Sequence, residues 1–222
     1  AAERSNAASG VSRNSVLLYD VGTEAGAVLV ARREWNLTAD LPPNGPNLGL
    51  EAIARVPDAF LVARGFVDEA RGAAYDPANY PDNGGGLFVV GVEASGAIYA
   101  YALDHAAGTF TRVATLASGY PAVMDLAFDA ELGQFWAVCD DTCQGRSALL
   151  RVDQAAGSPT RGRFVAAQRF ERPAGMPNLN NEGFTLAPLA ECAGGRRPAL
   201  WADDGETGGV SVRRGTAPCT AF

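Results

Sequence analysis

Two stretches decide how this chain is read: Pro46–Ala52, PNLGLEA, and Pro177–Gly183, PNLNNEG. Each places an acid five residues after a proline and runs straight into an apolar segment. A third segment, Pro121 to Asp129, repeats the theme with Asp125 as the acid. Glu51, Asp125 and Glu182 therefore each open a short strand of a recurring unit. Recurrence at this scale is the signature of a repeat architecture.

Working outward, short apolar and β-branched runs alternate with Gly, Pro, Asn and Asp, and no dozen residues carry a helical period. The expected strands are 15–21, 26–35, 51–56, 59–65, 86–92, 97–104, 109–116, 123–129, 134–140, 147–153, 163–170, 182–188, 199–204 and 209–214. Short turns between them imply antiparallel meanders. Four-stranded antiparallel units repeated in this way predict an all-β chain, a β-propeller whose innermost strands start near a central channel. A β-sandwich is the alternative with similar turn spacing. The strands amount to about three and a half blades, a partial ring belonging to a longer protein. Residues 1–14 are expected to fray, with the propeller domain over 15–222. The segment 73–85 reads as an insertion, with Asp76, Asp82 and Asn83 on a solvated loop.

The composition of the 222 residues is that of a globular protein, 47% hydrophobic and 19% charged. A net charge of −7, from 25 acids and 18 bases, argues against nucleic acid as partner and favours a cation. Every base is arginine, so Schiff-base chemistry and a lysine-bearing phosphate loop are excluded. No apolar run reaches the roughly 20 residues of a membrane span. Cys139 with Cys143, and Cys192 with Cys219, form two plausible disulfides, which points to an oxidising, extracytoplasmic compartment.

Carboxylates at the starts of innermost strands would converge on one channel mouth. Their repulsion is costly unless a cation or protons neutralise them. Hard oxygen donors suit calcium or magnesium. The alternative is that each acid caps a turn by accepting backbone N–H groups. The ends of the following strands add Asp140, Asp141, Asp203, Asp204 and Glu206, with Arg64 at the matching place in the first unit. Arg64 is placed to bind an anionic group of a substrate or to bridge neighbouring sheets. Asn178, Asn180 and Asn181 beside Glu182 offer neutral oxygens or simply shape the entry turn. His105 falls at a hairpin tip. Trp35, Trp136 and Trp201 lie in strands as packing residues.

Taken together, GLEAIA, FWAVCDD, NNEGFTLAP and the ending LWADDGETGGVSVRRGTAPC resemble the bacterial secreted phytase-like β-propellers described as having esterase-like activity. The resemblance spans about residues 48–219 and departs from the family at Ala52, where glycine is usual. It implies secretion and calcium-assisted hydrolysis of a small phosphoester or carboxylic ester. By motif the resemblance carries over Glu51, Glu182, Asp203 and Asp204; joined to the strand-end reading, the expected metal ligands are Glu51, Asp125, Glu182, Asp140 and Asp203, with Glu182 and Asp204 catalytic and Arg64 and Asn181 holding substrate. Two rivals are a lactonase-type propeller using Glu182, Asn181 and Asp203 on one metal, and a non-catalytic envelope scaffold.

Overall fold

The computed structural model describes residues 1–5, 7–22, 26 and 28–221. Residue 27, inside the expected strand 26–35, and residues 6, 23–25 and 222 lie outside the described set. The chain is all-β and antiparallel, built mainly of four sheets. Sheet 1 holds β1 (Ala2–Ser5), β2 (Ala8–Tyr19) and β3 (Ala31–Asn36). β4 (Leu50–Pro57) then leads into a helix, α1 (Asp58–Ala63), and a small ribbon of β5 (Val67–Asp68) and β6 (Ala73–Ala74). The chain returns as β7 (Gly86–Val92), β8 (Ala97–Leu103) and β9 (Phe110–Ala117), and sheet 2 has the order β4-β7-β8-β9. Sheet 3 is β10 (Asp125–Asp129), β11 (Gln134–Val138), β12 (Ser147–Val152) and β13 (Phe164–Phe170). Sheet 4 is β14 (Asn181–Leu186), β15 (Arg196–Asp203) and β16 (Val212–Pro218).

The first strands of successive sheets face one another: β1 lies against β4, β4 against β10, and β10 against β14. Sheet 2 is thus covered on both sides, and its strands serve two cores. In β7, Val89 enters the core shared with sheet 3 while Val90 enters that shared with sheet 1. In β8, Ile98 and Ala100 point one way, Tyr99 and Tyr101 the other. A strand buried on both faces has no reason to alternate polar with apolar, which is why GLFVVGV and AIYAYAL are nearly unbroken apolar runs.

Two expectations are corrected. The strand expected over 59–65 is helix α1. Asp58 stands in its first turn, where a carboxylate suits the helix dipole. At the other end Gly65 takes φ 62°, with Gly65 N–H donating to Val62 and Phe66 N–H to Leu61, the glycine-terminated helix stop. Only Leu61 of this helix is buried, so a single anchor suffices where a strand would need alternate ones. The strand that pairs with β4 is therefore β7, and 58–85 is one excursion between them. Residues 1–14, expected to fray, instead carry β1 and half of β2. The buried Asn14 accepts a hydrogen bond from Leu50 N–H at 3.2 Å, tying the start of the chain to sheet 2.

Cys139 is bridged to Cys143 and Cys192 to Cys219, the two expected pairs. Trp35 and Trp136 are buried, and His105 sits in the β8–β9 turn between the rings of Trp35 and Phe88. No helix among the described residues is long and apolar enough to cross a membrane.

Candidate functional site

The repeated motif has a geometric meaning. In β4 the ladder pairs Leu50 with Val92 and Ala52 with Gly91, leaving Glu51 as one extra residue. β14 does the same: Asn181 pairs with Asp203 and Gly183 with Ala202, leaving Glu182 over. A bulge of this kind re-aims one side chain out of the alternation. Both glutamates thus leave the sheet at the same end of equivalent strands.

They do not stand alone there. Glu51 carboxyl oxygens come within 4.8 Å of those of Glu3 and Glu93, all three half-buried. Glu3 comes from β1, and its Oε2 accepts a hydrogen bond from Gly49 N–H at 3.3 Å. Glu93 directly follows β7, the strand paired to β4. Glu182 completes the group electrostatically, with Asp204 beside it and Glu93, Asp140 and Glu3 in range.

The charges show how strained this assembly is. Burial, then a carboxyl–carboxylate hydrogen bond to Glu3, then repulsion from Glu3, Glu182 and Glu93 push the Glu51 pKa up to about 8. Burial, then repulsion from Asp204 and the other acids, pushes Glu182 up to about 7. Glu93 is raised by burial and by Glu3 and Asp140. Ala1's amine, pushed down by burial, is close enough for Glu51 to pull it back up in part.

Of the residues expected here, Glu51, Glu182, Asp140 and Asp204 are brought to one end of the sheets. Asp125 takes the other reading. Its strand has no bulge, pairing Asp125 with Val138 and Leu126 with Ala137 in register. Its carboxylate turns between sheets, accepting Leu126 N–H at 2.7 Å and the backbone N–H of Phe184 in β14. Burial raises its pKa and these two donors pull it back in part. Asp125 is an inter-sheet clasp and stands outside the group formed by Glu3, Glu51 and Glu93.

Asp203 is likewise committed, accepting Gly205 N–H at 3.0 Å and Thr207 N–H at 2.7 Å. Burial alone would raise its pKa, but these donors and the Thr207 hydroxyl outweigh burial and hold it low. Asn181 is buried, and its amide nitrogen, in the orientation that satisfies it, donates to the carbonyls of Ala202 (3.2 Å) and Gly183 (3.0 Å). The lactonase-type set of Glu182, Asn181 and Asp203 is thereby reduced to Glu182. Asp140 keeps one oxygen occupied by Thr142, at 3.0 Å to N–H and 2.6 Å to the hydroxyl, within the loop that the Cys139–Cys143 bridge closes.

Arg64 is not at this end. It caps the far end of α1, with its guanidinium 5.6 Å from the Phe60 ring centre. The residue that does occupy the strand-end place in the first unit is Glu93, which sequence reasoning missed together with Glu3. The signal for Glu93 was present: VGVEA ends a strand with an acid just as VCDD and WADD do. It is hidden by the expected strand 59–65, which stands between 51–56 and its true partner β7 in the sequence. Glu3 lay in the stretch expected to fray.

The donor set fits a calcium ion. Ligands around calcium lie about 2.3–2.6 Å from the metal, so any two are at most about 5 Å apart, and carboxylate oxygens are its preferred donors. The Glu3, Glu51 and Glu93 oxygens satisfy that limit. The second acid-bearing group, Cys139, Asp140 and Cys143, has its sulfurs joined in a disulfide and so offers no thiolates. Comparison with known protein families and with characterised proteins gives no match for this chain.

Proposed function

We propose that the chain is part of a secreted phytase-like β-propeller whose acidic mouth binds calcium and hydrolyses a small phosphoester or carboxylic ester. The propeller reading is supported by sheets that pack first strand to first strand, and the extracytoplasmic one by two disulfides. The observation that carries the reading is the cluster of Glu3, Glu51 and Glu93 within 4.8 Å, with Glu182 alongside.

Glu3, Glu51 and Glu93 would hold the ion. Calcium bound there supplies charge neutralisation and polarises a phosphoryl or acyl oxygen. Glu182 is the general base. With a pKa of about 7 it is divided between its two forms near neutrality, where a carboxylate both accepts a proton from water and returns one to a leaving group. Burial, and then repulsion from Asp204, keep that value up. With Asp125, Asp203 and Asn181 bound into the sheets, the ligand set moves to Glu3 and Glu93, and Arg64 has no part in it.

The test is thermal unfolding of the chain with calcium or with chelator, alongside hydrolysis of p-nitrophenyl phosphate and p-nitrophenyl acetate. A site filled about a hundredfold above its dissociation constant raises the melting temperature by about 5–10 °C in a protein of this size. Glu51→Gln should abolish that shift. Glu182→Gln should keep it while lowering turnover by about a hundredfold or more. A melting temperature indifferent to calcium ends the metal reading. A calcium shift with neither ester cleaved leaves a binding module and ends the hydrolase reading.

A further inference from the structure

At the end of sheet 2 away from the acidic mouth, the one histidine in the sequence closes a junction of three segments. His105 stands in the turn between β8 and β9. From sheet 1, Trp35 brings its ring to 4.9 Å from the imidazole, and from β7, Phe88 brings its own to 5.6 Å. The third segment is the loop that ends the 58–85 excursion. Its Asp82 carbonyl accepts His105 N–H at 2.9 Å, and Gly84 covers the imidazole edge so closely that a Cβ there would lie 2.9 Å from Nε2. The indole N–H of Trp35 donates to Asp104 O at 3.2 Å, so sheet 1, the turn and the loop all meet at this ring.

Nε2 is buried and has no hydrogen-bond partner among the described residues. The neutral ring tolerates this, because it can leave that nitrogen without a proton. The imidazolium cannot, since it carries an N–H on both nitrogens. The backbone acceptors of the covering loop are already engaged. Arg55 donates to Gly84 O through Nε at 3.0 Å and Nη2 at 2.7 Å, and to Gly85 O at 2.7 Å, while Asp82 O holds the His105 amide. The charged groups facing the ring are Arg33 from β3, Arg55 from β4, Asp82 from the loop and Asp104 from the turn itself. Asp104 has Oδ1 committed to Ala106 N–H at 2.8 Å and Ala107 N–H at 2.6 Å. Burial, then repulsion from Arg33 and Arg55, outweigh the attraction of Asp104 and Asp82 and hold the imidazole pKa below its ordinary 6.5.

We propose that His105 is an acid-sensitive latch: neutral, it holds the loop over 82–85 against the β8–β9 turn, and protonated, it drives that loop off to admit water to Nε2. A buried N–H needs an acceptor, and water becomes one once the loop lifts. Histidine is the side chain whose charge changes in this pH range. Because the ring holds its proton less tightly in the closed fold, its contribution is fully present above about pH 6.5 and is lost as pH falls from there toward the folded value. The acidic mouth works the other way, since Glu51 favours the folded chain at lower pH. Loosening of this loop by acid therefore has a source of its own, independent of any metal.

The test is NMR titration of the full chain, in which a single histidine gives one set of ring signals, joined to amide hydrogen exchange at about pH 7.5 and about pH 5.5, corrected for the intrinsic rate. The ring should titrate below 6.5 in the folded chain and return to about 6.5 in urea. Opening of residues 83–85 and 105–108 should rise on acidification, by up to about tenfold for each pH unit between 6.5 and the folded value, while β11 and β12 keep their protection. His105→Phe keeps a ring between Trp35 and Phe88 with no proton to gain, and should abolish the acid opening. Arg33→Gln, which leaves the imidazole in place, should raise its midpoint toward 6.5 and make the acid opening smaller. A folded-state midpoint at or above 6.5 overturns the proposal. So does equal protection of the loop at the two pH values, or acid opening of wild-type size in His105→Phe.

Discussion

At the scale of single residues, the acidic mouth makes a measurable commitment through Glu51. Its carboxyl has an ordinary pKa of 4.5 and one of about 8 in the fold, because burial and Glu3 favour the protonated form. Between those two values the folded chain holds a proton that the unfolded chain has released. Stability of the metal-free protein therefore declines as pH rises from about 4.5 to about 8 and levels off above that window. Glu51→Gln should flatten this part of the profile, read as melting temperature against pH in chelator. Calcium should stabilise more near pH 8 than near pH 5, since the ion must displace the proton. The pKa of Asp125 is raised too, and its structural part is played through hydrogen bonds between sheets. Asp125→Asn weakens the link to Phe184 N–H and should cost about 1–3 kcal/mol in chemical denaturation, with the calcium shift unchanged.

At the scale of elements, the same three acids show what could be read from the sequence. The motif in PNLGLEA and PNLNNEG marked equivalent strand starts, and both carry the same one-residue bulge. Asp125 follows its proline by four residues where Glu51 and Glu182 follow theirs by five, and its strand lacks the extra residue. That one-residue difference was the sign in the sequence that set it apart, since a shift of one residue sends a side chain to the other face. The all-β architecture was legible from runs such as GLFVVGV because covering both faces of a sheet leaves a plain apolar signature. The helix at Asp58–Ala63 was not, because AFLVA contains the residues of a buried strand. Its Gly65 stop was the one local sign of a helix. The Cys192–Cys219 bridge was legible from cysteine parity, and it joins the loop before β15 to the end of β16. Replacing both cysteines by serine should lower stability by about 2–4 kcal/mol in denaturant, more than opening the short Cys139–Cys143 loop.

At the scale of the whole molecule, sheets 3 and 4 are joined by more than apolar contact. Arg197 and Asp129 form a buried ion pair between β15 and the end of β10, with Ala187 O accepting from the same guanidinium at 3.1 Å and Glu131 3.7 Å away. Removing one partner strands the other charge in the interior. Asp129→Ala should cost about 3–5 kcal/mol, and the double change Asp129→Leu with Arg197→Met should recover most of it. Asp129 ends the strand that Asp125 begins. At one end Asp125 accepts Phe184 N–H and at the other Asp129 pairs with Arg197, so this short strand is riveted to sheet 4 twice. Cutting either rivet alone should leave the two sheets in register, and only the loss of both should let them slide.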